Sequence, residues 1–133
     1  MTAEKFIQVL VKSAAEKLYN QPIADSLIQI QKTRKEFEGD YTMVAFPLLK
    51  FSRKSPEETC KEIGEQLVAL DKHIESFNVI KGFLNITLSK SYWANVLNTI
   101  VQTNDFGFCE AKSDKPIVIE FSSPNTNKPL HLG

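Results

Sequence analysis

Two apolar runs, Ile74–Ile80 and Phe83–Leu88, are separated only by Lys81-Gly82. A two-residue link predicts antiparallel pairing, and glycine supplies the positive φ that such a turn needs, so a hairpin is expected here whatever surrounds it. Side chains alternate across a strand, which puts Leu84, Ile86 and Leu88 on one face and Phe83, Asn85 and Thr87 on the other. The first set belongs to a core. The second holds an aromatic ring and an amide together on the face away from that core, a pair able to stack on an unpaired base and hydrogen-bond its edge. A phenylalanine beside a hairpin turn is more often covered by a neighbouring loop, and alternation alone does not make it a base contact.

Helices are expected on either side. Phe6, Leu10, Ala14 and Leu18 recur every four positions, with Val9 and Val11 widening the stripe, so residues 2–20 read as an amphipathic helix capped by Thr2 and ended by Asn20-Gln21-Pro22. Ser55-Pro56-Glu57-Glu58 is a capping box with proline at the first helical position, worth about 1 kcal/mol at the serine. Cys60, Ile63, Leu67 and Leu70 follow on one face to about Asp71. Ser89 or Ser91 caps a last helix that carries Trp93, Val96, Leu97 and Ile100 inward and ends near Gly107. Before the capping box, Ser26–Gln31 alternates as a half-exposed strand, Lys32–Asp40 reads as a charged, solvated turn, and Tyr41–Phe46 returns as a strand or a strand leading into a helix, with Pro47 a poor residue for a central strand beyond it. The order predicts an α+β domain over residues 1–105, an antiparallel sheet covered by helices on one face. A linker over 106–114 follows.

Charge excludes one class of partner. Sixteen basic side chains balance 16 acidic ones, so binding to nucleic acid by bulk charge is ruled out and any RNA contact must be local. Cys60 and Cys109 form no Cys-x-x-Cys pair, and with only His73 and His131 beside them no structural metal is expected. Cys60, on the inner face of its helix, reads as a small core hydrophobe. No apolar run reaches signal-peptide or membrane-span length, so a cytoplasmic chain with no membrane partner is expected.

The last stretch differs in kind. Ile117-Val118-Ile119 reads as a buried parallel strand opening a doubly wound, Rossmann-like α/β fold, and the polar loop after it lies where such folds bind ligands. A histidine beside a glycine there can approach a phosphate and donate to it as charge builds. The string Glu120-Phe121-Ser122-Ser123-Pro124-Asn125-Thr126-Asn127-Lys128-Pro129-Leu130-His131-Leu132-Gly133 closely resembles the start of the catalytic domain of arginyl-tRNA synthetases, class I enzymes whose first signature is His-x-Gly-His. The chain stops before the fourth residue of that signature. Ser-Pro-Asn followed by Lys-Pro-Leu-His separates this family from the glutamate and glutamine members, which carry a different lead-in. Gly39-Asp40-Tyr41 and Gly82-Phe83-Leu84-Asn85 resemble two segments of the N-terminal domain appended to these enzymes.

The resemblance implies an arginine–tRNA ligase that forms an arginyl-adenylate from L-arginine and ATP, with Mg2+ in the full enzyme, and passes the arginyl group to the terminal ribose of tRNA(Arg). It implies that Ser123 and Asn125 hold the arginine, that Glu120 positions its polar groups, and that His131 and Gly133 bind ATP, His131 acting on the α-phosphate. Lys128 would add positive charge near the phosphates, or else is a solvated loop lysine. Phe83 and Asn85 would meet a base of the tRNA D-loop. Residues 115–133 would begin the catalytic domain, leaving this piece catalytically incomplete, and the whole enzyme would be a monomer. A stand-alone RNA-binding or protein-docking module is the other reading.

Overall fold

The hairpin forms as its sequence requires. In the computed structural model, which describes residues 1–109, 115–121, 127 and 129, β3 (Ile74–Ile80) and β4 (Phe83–Leu88) pair antiparallel with Ile80 opposite Phe83. Lys81 and Gly82 both take positive φ, 48° and 79°, the requirement of a turn whose twist matches its strands. β1 (Ile30–Lys32) and β2 (Tyr41–Val44) complete a four-stranded antiparallel sheet in the order β1-β2-β4-β3.

Both main helices cover one face of that sheet. α1 (Ala3–Tyr19) is capped by Thr2, whose hydroxyl accepts from the Lys5 amide, and closes on Asn20 in the left-handed region, its amide donating to the Glu16 carbonyl. A four-residue helix, α2 (Leu49–Ser52), precedes α3 (Pro56–Leu70), whose expected capping box forms in full: the Ser55 hydroxyl accepts from the Glu58 amide and the Glu58 carboxylate accepts from the Ser55 amide. Ile7, Val11, Ala14 and Ala15 of α1 and Cys60, Ile63 and Leu67 of α3 meet Met43, Leu84, Ile86 and Leu88 of the sheet in one buried core. α3 comes close to β3 at Gly64, where a Cβ would fall 2.5 Å from the Phe77 ring. Full burial of each large aliphatic side chain here contributes about 1.5–3 kcal/mol.

Several expectations shift. Val9 and Leu70 are exposed rather than in the stripe, because the buried arc of α1 centres on Ile7 and Val11 and Leu70 lies in the last turn of α3. The expected strand from Ser26 is a 3-10 turn over Asp25–Leu27, and pairing starts only at Ile30. Ser89, not Ser91, caps α4 (Lys90–Gln102). This helix ends earlier than Gly107 and buries no residue: Trp93, Leu97 and Ile100, expected inward, are exposed. Its contact with the core runs through Tyr92, stacked on Phe6 at 5.0 Å.

The chain divides into two compact units, Met1–Thr103 and Asn104–Gly133. In the second, Ile117, Val118 and Ile119, expected as a buried strand, form none and are exposed. A parallel strand exists only with neighbours to complete its ladder, and among the described residues it is paired with none. No helix among the described residues is long and apolar enough to cross a membrane.

Candidate nucleic-acid interface

The helices leave the other face of the sheet to be filled by something else. Strand register aligns four polar residues across that face, one from each strand: Gln31 opposite Thr42, Thr42 opposite Asn85, and Asn85 opposite Asn78. The adjacent row holds Val44, Phe83 and Ile80. Polar residues in such a row are ordinarily solvated, yet Thr42 is 5% and Asn85 1% exposed.

Loop 33–40 does the covering. It is closed at its neck by the Thr33 amide donating to the Asp40 carbonyl, and it is anchored to β4 twice, by the Asp40 amide on the Ile86 carbonyl and by the Asp40 carboxylate accepting from the Leu88 amide, both at 2.8 Å. Gly39 has φ +136°, and a Cβ there would lie 3.2 Å from the Asn85 Cβ, so glycine permits the close approach. The sequence marks this segment as a solvated turn. Arg34, Lys35, Glu36 and Glu38 are exposed, but Asp40 and the loop backbone are bonded to the sheet, through residues distant in the chain.

Between loop and sheet is a cavity of about 180 Å3. Gln31, Thr42 and Asn85 come from the strands, Ile80, Lys81 and Phe83 from the hairpin and its turn, and Arg34 and Phe37 from the loop. Drug-sized ligands occupy roughly 300–1,000 Å3, so this space suits one flat ring. Two cations and no carboxylate are among its lining residues, which suits an anionic chain carrying that ring. The Phe83 ring is steadied edge-on by Phe46 at 6.2 Å.

Phe83 and Asn85 therefore stand together beside one cavity, as strand alternation predicts. Their states differ. Phe83 is half-buried and lines the open space. Asn85 is hydrogen-bonded within the protein: its Oδ1 accepts from the Thr42 hydroxyl at 2.6 Å, and its Nδ2 donates to Asn78 Oδ1 at 2.9 Å. Both ends of the amide are thus engaged inside the protein, in a side chain that is 1% exposed. Gln31, Arg34, Phe37, Thr42 and Lys81 escaped the sequence reading. Lys81 is legible as the turn residue two places before Phe83, whereas Gln31 and Thr42 reach the site through the β1-β2-β4 register and Arg34 and Phe37 through the loop that folds back over the sheet.

Of the residues implied for the arginine and ATP sites, Glu120 is exposed and in no strand or helix. Ser123, Asn125, Lys128, His131 and Gly133 lie outside the described residues. Among the described residues there is no group of three or more His, Cys, Asp or Glu side chains placed to hold a metal ion.

An arginine–tRNA ligase of Bacteroides thetaiotaomicron is 48% identical over 134 residues, covering 100% of this chain and 22% of the ligase. That of Parabacteroides distasonis is 46% identical, with the same coverage of each. The chain thus spans 22% of the length of these curated relatives. Among solved structures, Thermus thermophilus arginyl-tRNA synthetase has the same fold, with a TM-score of 0.59 at 21% identity over 78% of this chain and 16% of that one. The family described as "Arginyl tRNA synthetase N terminal domain" matches residues 5–88, helix α1 through strand β4, and to that family this chain belongs.

Proposed function

We propose that this chain is the tRNA-contacting N-terminal part of an arginine–tRNA ligase, and that its own task is to hold one unpaired base of the tRNA(Arg) D-loop. The observation that carries this reading is the cavity on the outer sheet face. It has a half-buried aromatic ring on one side, a fixed amide at the sheet, and Arg34 and Lys81 among its lining residues without an acid. Single-stranded bases are held by stacking plus edge hydrogen bonds, and the flanking phosphates by nearby cations. With formal net charge +0, this local contact contributes position and specificity, and the chain alone binds tRNA weakly at physiological salt.

The domain assignment follows. Residues 1–105 form the D-loop-binding domain, 106–114 the linker, and 115–133 the start of a class I catalytic domain in a cytoplasmic, monomeric enzyme. In the whole protein the arginine carboxylate attacks the α-phosphorus of ATP, pyrophosphate leaves, and the terminal ribose hydroxyl of tRNA(Arg) then takes the arginyl group as AMP leaves. Ser123, Asn125 and Glu120 would hold arginine, and His131, Gly133 and Lys128 would face ATP. This is catalysis by positioning and charge stabilisation, without a protein nucleophile. The test is pyrophosphate exchange by the full-length protein in the presence of tRNA(Arg). Exchange that depends on arginine is expected, and exchange with another amino acid, or none, would sink the assignment.

A further inference from the structure

Helix α4 carries an apolar stripe that stays in water. With 3.6 residues per turn, Val96, Ile100, Trp93, Leu97 and Val101 follow one another around the helix within an arc of about 140°. Only Tyr92 and Val96, at one edge of that arc, are half-buried. Leu97 and Val101, at the other edge, are 62% and 73% exposed, and Trp93 and Ile100 between them are exposed too. The indole is held rigidly all the same. Trp93 meets Tyr92 edge-on at 5.3 Å, and Tyr92 is in turn stacked on Phe6 and edge-on to His73 at 5.9 Å, so the exposed ring stands on an aromatic pedestal and loses little freedom when something covers it.

A helix of 13 residues is marginal in water by itself and draws most of its stability from packing its apolar face. The absence of charge shows what kind of surface would pack there. From Ser91 to Asn104 the sequence has no charged residue, in a chain that is 24% charged. A solvated helix face carries charges, and a face that binds RNA carries cations. The centre of a protein–protein contact is depleted of charge and enriched in tryptophan. α4 therefore fits an apolar, uncharged protein surface, not tRNA.

The tether decides which protein. The chain spans 22% of its curated relatives, so in the reading above most of the ligase follows it. Residues 103–114 alone separate α4 from the proposed start of the catalytic domain, and even fully extended they reach at most about 40 Å. A short tether holds the next domain at an effective concentration of about millimolar. A contact too weak to join two molecules is thereby filled within one, and a second copy would have to reach the same concentration to compete.

We propose that the Trp93, Leu97, Ile100 and Val101 face of α4 is the joint through which this domain docks on the catalytic part of the same ligase, beyond Gly133. This rests on the reading above that the chain is the N-terminal part of such an enzyme. β4 runs from Phe83, at the cavity, to Leu88, and Ser89 then caps α4. Joint and cavity thus lie at opposite ends of one strand, about 17 Å apart along it, so docking leaves the cavity open and fixes its position against the catalytic domain.

Hydrogen exchange over residues 93–101, compared between the full-length protein and the 133-residue chain, tests this. Docking predicts exchange at least about tenfold slower in the full-length protein, without tRNA and independent of protein concentration. Leu97→Asp should remove most of that difference, and Leu97→Met should keep it. In the 133-residue chain the Leu97 side chain is already exposed, so Leu97→Asp should leave the melting temperature within about 4 °C, which separates a lost joint from a damaged domain. Equal exchange in the two proteins would overturn the joint and, with arginylation intact, leave the ligase reading standing. Protection that grows with protein concentration would make a second copy the occupant, and protection that arises only with tRNA(Arg) would make it RNA; either overturns the proposal. A full-length protein with no arginine-dependent pyrophosphate exchange would remove the ligase reading, and the proposed occupant with it.

Discussion

Asn85→Ala is expected to unsettle the fold as well as the interface, and the size of that effect can be worked out. Asn85 is 1% exposed, and it makes one hydrogen bond to Thr42, itself 5% exposed, and one to the half-buried Asn78. Each bond contributes about 1 kcal/mol net, and a buried polar partner left unsatisfied costs about 1–3 kcal/mol. Asn78 can turn toward water, whereas the Thr42 hydroxyl retains only Thr33. A loss of about 2–3 kcal/mol follows, and at roughly 4–8 °C per kcal/mol for a domain near 100 residues the melting temperature should drop by about 10–20 °C. Phe83→Ala should cost less, about 1–2 kcal/mol, because that ring is only half-buried, with its edge-to-face contact to Phe46 supplying about 0.5–1.5 kcal/mol of the loss. Thermal unfolding of the two variants, followed by far-UV circular dichroism, measures both. An Asn85→Ala protein that melts within a few degrees of wild type, or Phe83→Ala proving the more damaging, would refute the Thr42–Asn85–Asn78 hydrogen bonds as a structural element. The ordering has a practical consequence: Phe83, not Asn85, is the clean probe of base contact.

Gly64→Ala places a Cβ 2.5 Å from the Phe77 ring. The overpacking, about 1–3 kcal/mol, should outweigh the roughly 1 kcal/mol that alanine gains over glycine in a helix, so denaturant titration should find the variant less stable than wild type. Cys60 is fully buried, and its burial, together with the Glu57 carboxylate, pushes the thiol from 9.0 up to about 12, so a thiol reagent should label the exposed Cys109 alone in the native protein. Between those two pKa values the unfolded chain has released the Cys60 proton and the folded one has kept it. Stability should therefore decline as pH rises from about 9 toward 12, and less so in Cys60→Ala, as urea unfolding across that range would record.

What could be read from the sequence was whatever short-range chemistry decides. Lys81-Gly82 fixed the hairpin register through turn geometry, Ser55 and Glu58 fixed the start of α3, and strand alternation put Phe83 and Asn85 on one face. The missing part was non-local. Whether Asn85 is exposed depends on loop 33–40 folding back across the sheet, through the Thr33–Thr42 and Asn78–Glu38 contacts. The balanced charges of Lys32–Asp40 hid this, because hydrogen bonds by threonine hydroxyls and backbone carbonyls leave no periodic pattern. α4 fails for another reason. Its apolar stripe is real, but a stripe states only that a surface can be covered, and Leu97 and Val101 stay exposed in the structure. Ile117–Ile119 likewise has strand composition without strand neighbours among the described residues. The family resemblance was legible in the terminal string, and the match itself rests on residues 5–88.

The proposed base contact at Phe83 is best tested by the KM of the full-length protein for tRNA(Arg), in arginylation, with and without that ring. Phe83→Ala should raise KM by about 5- to 150-fold, the equivalent of the ~1–3 kcal/mol of one lost stack, with kcat at saturating tRNA and the KM values for arginine and ATP unchanged. An unaltered KM for tRNA would contradict the account, as would a loss shared equally by arginine and ATP.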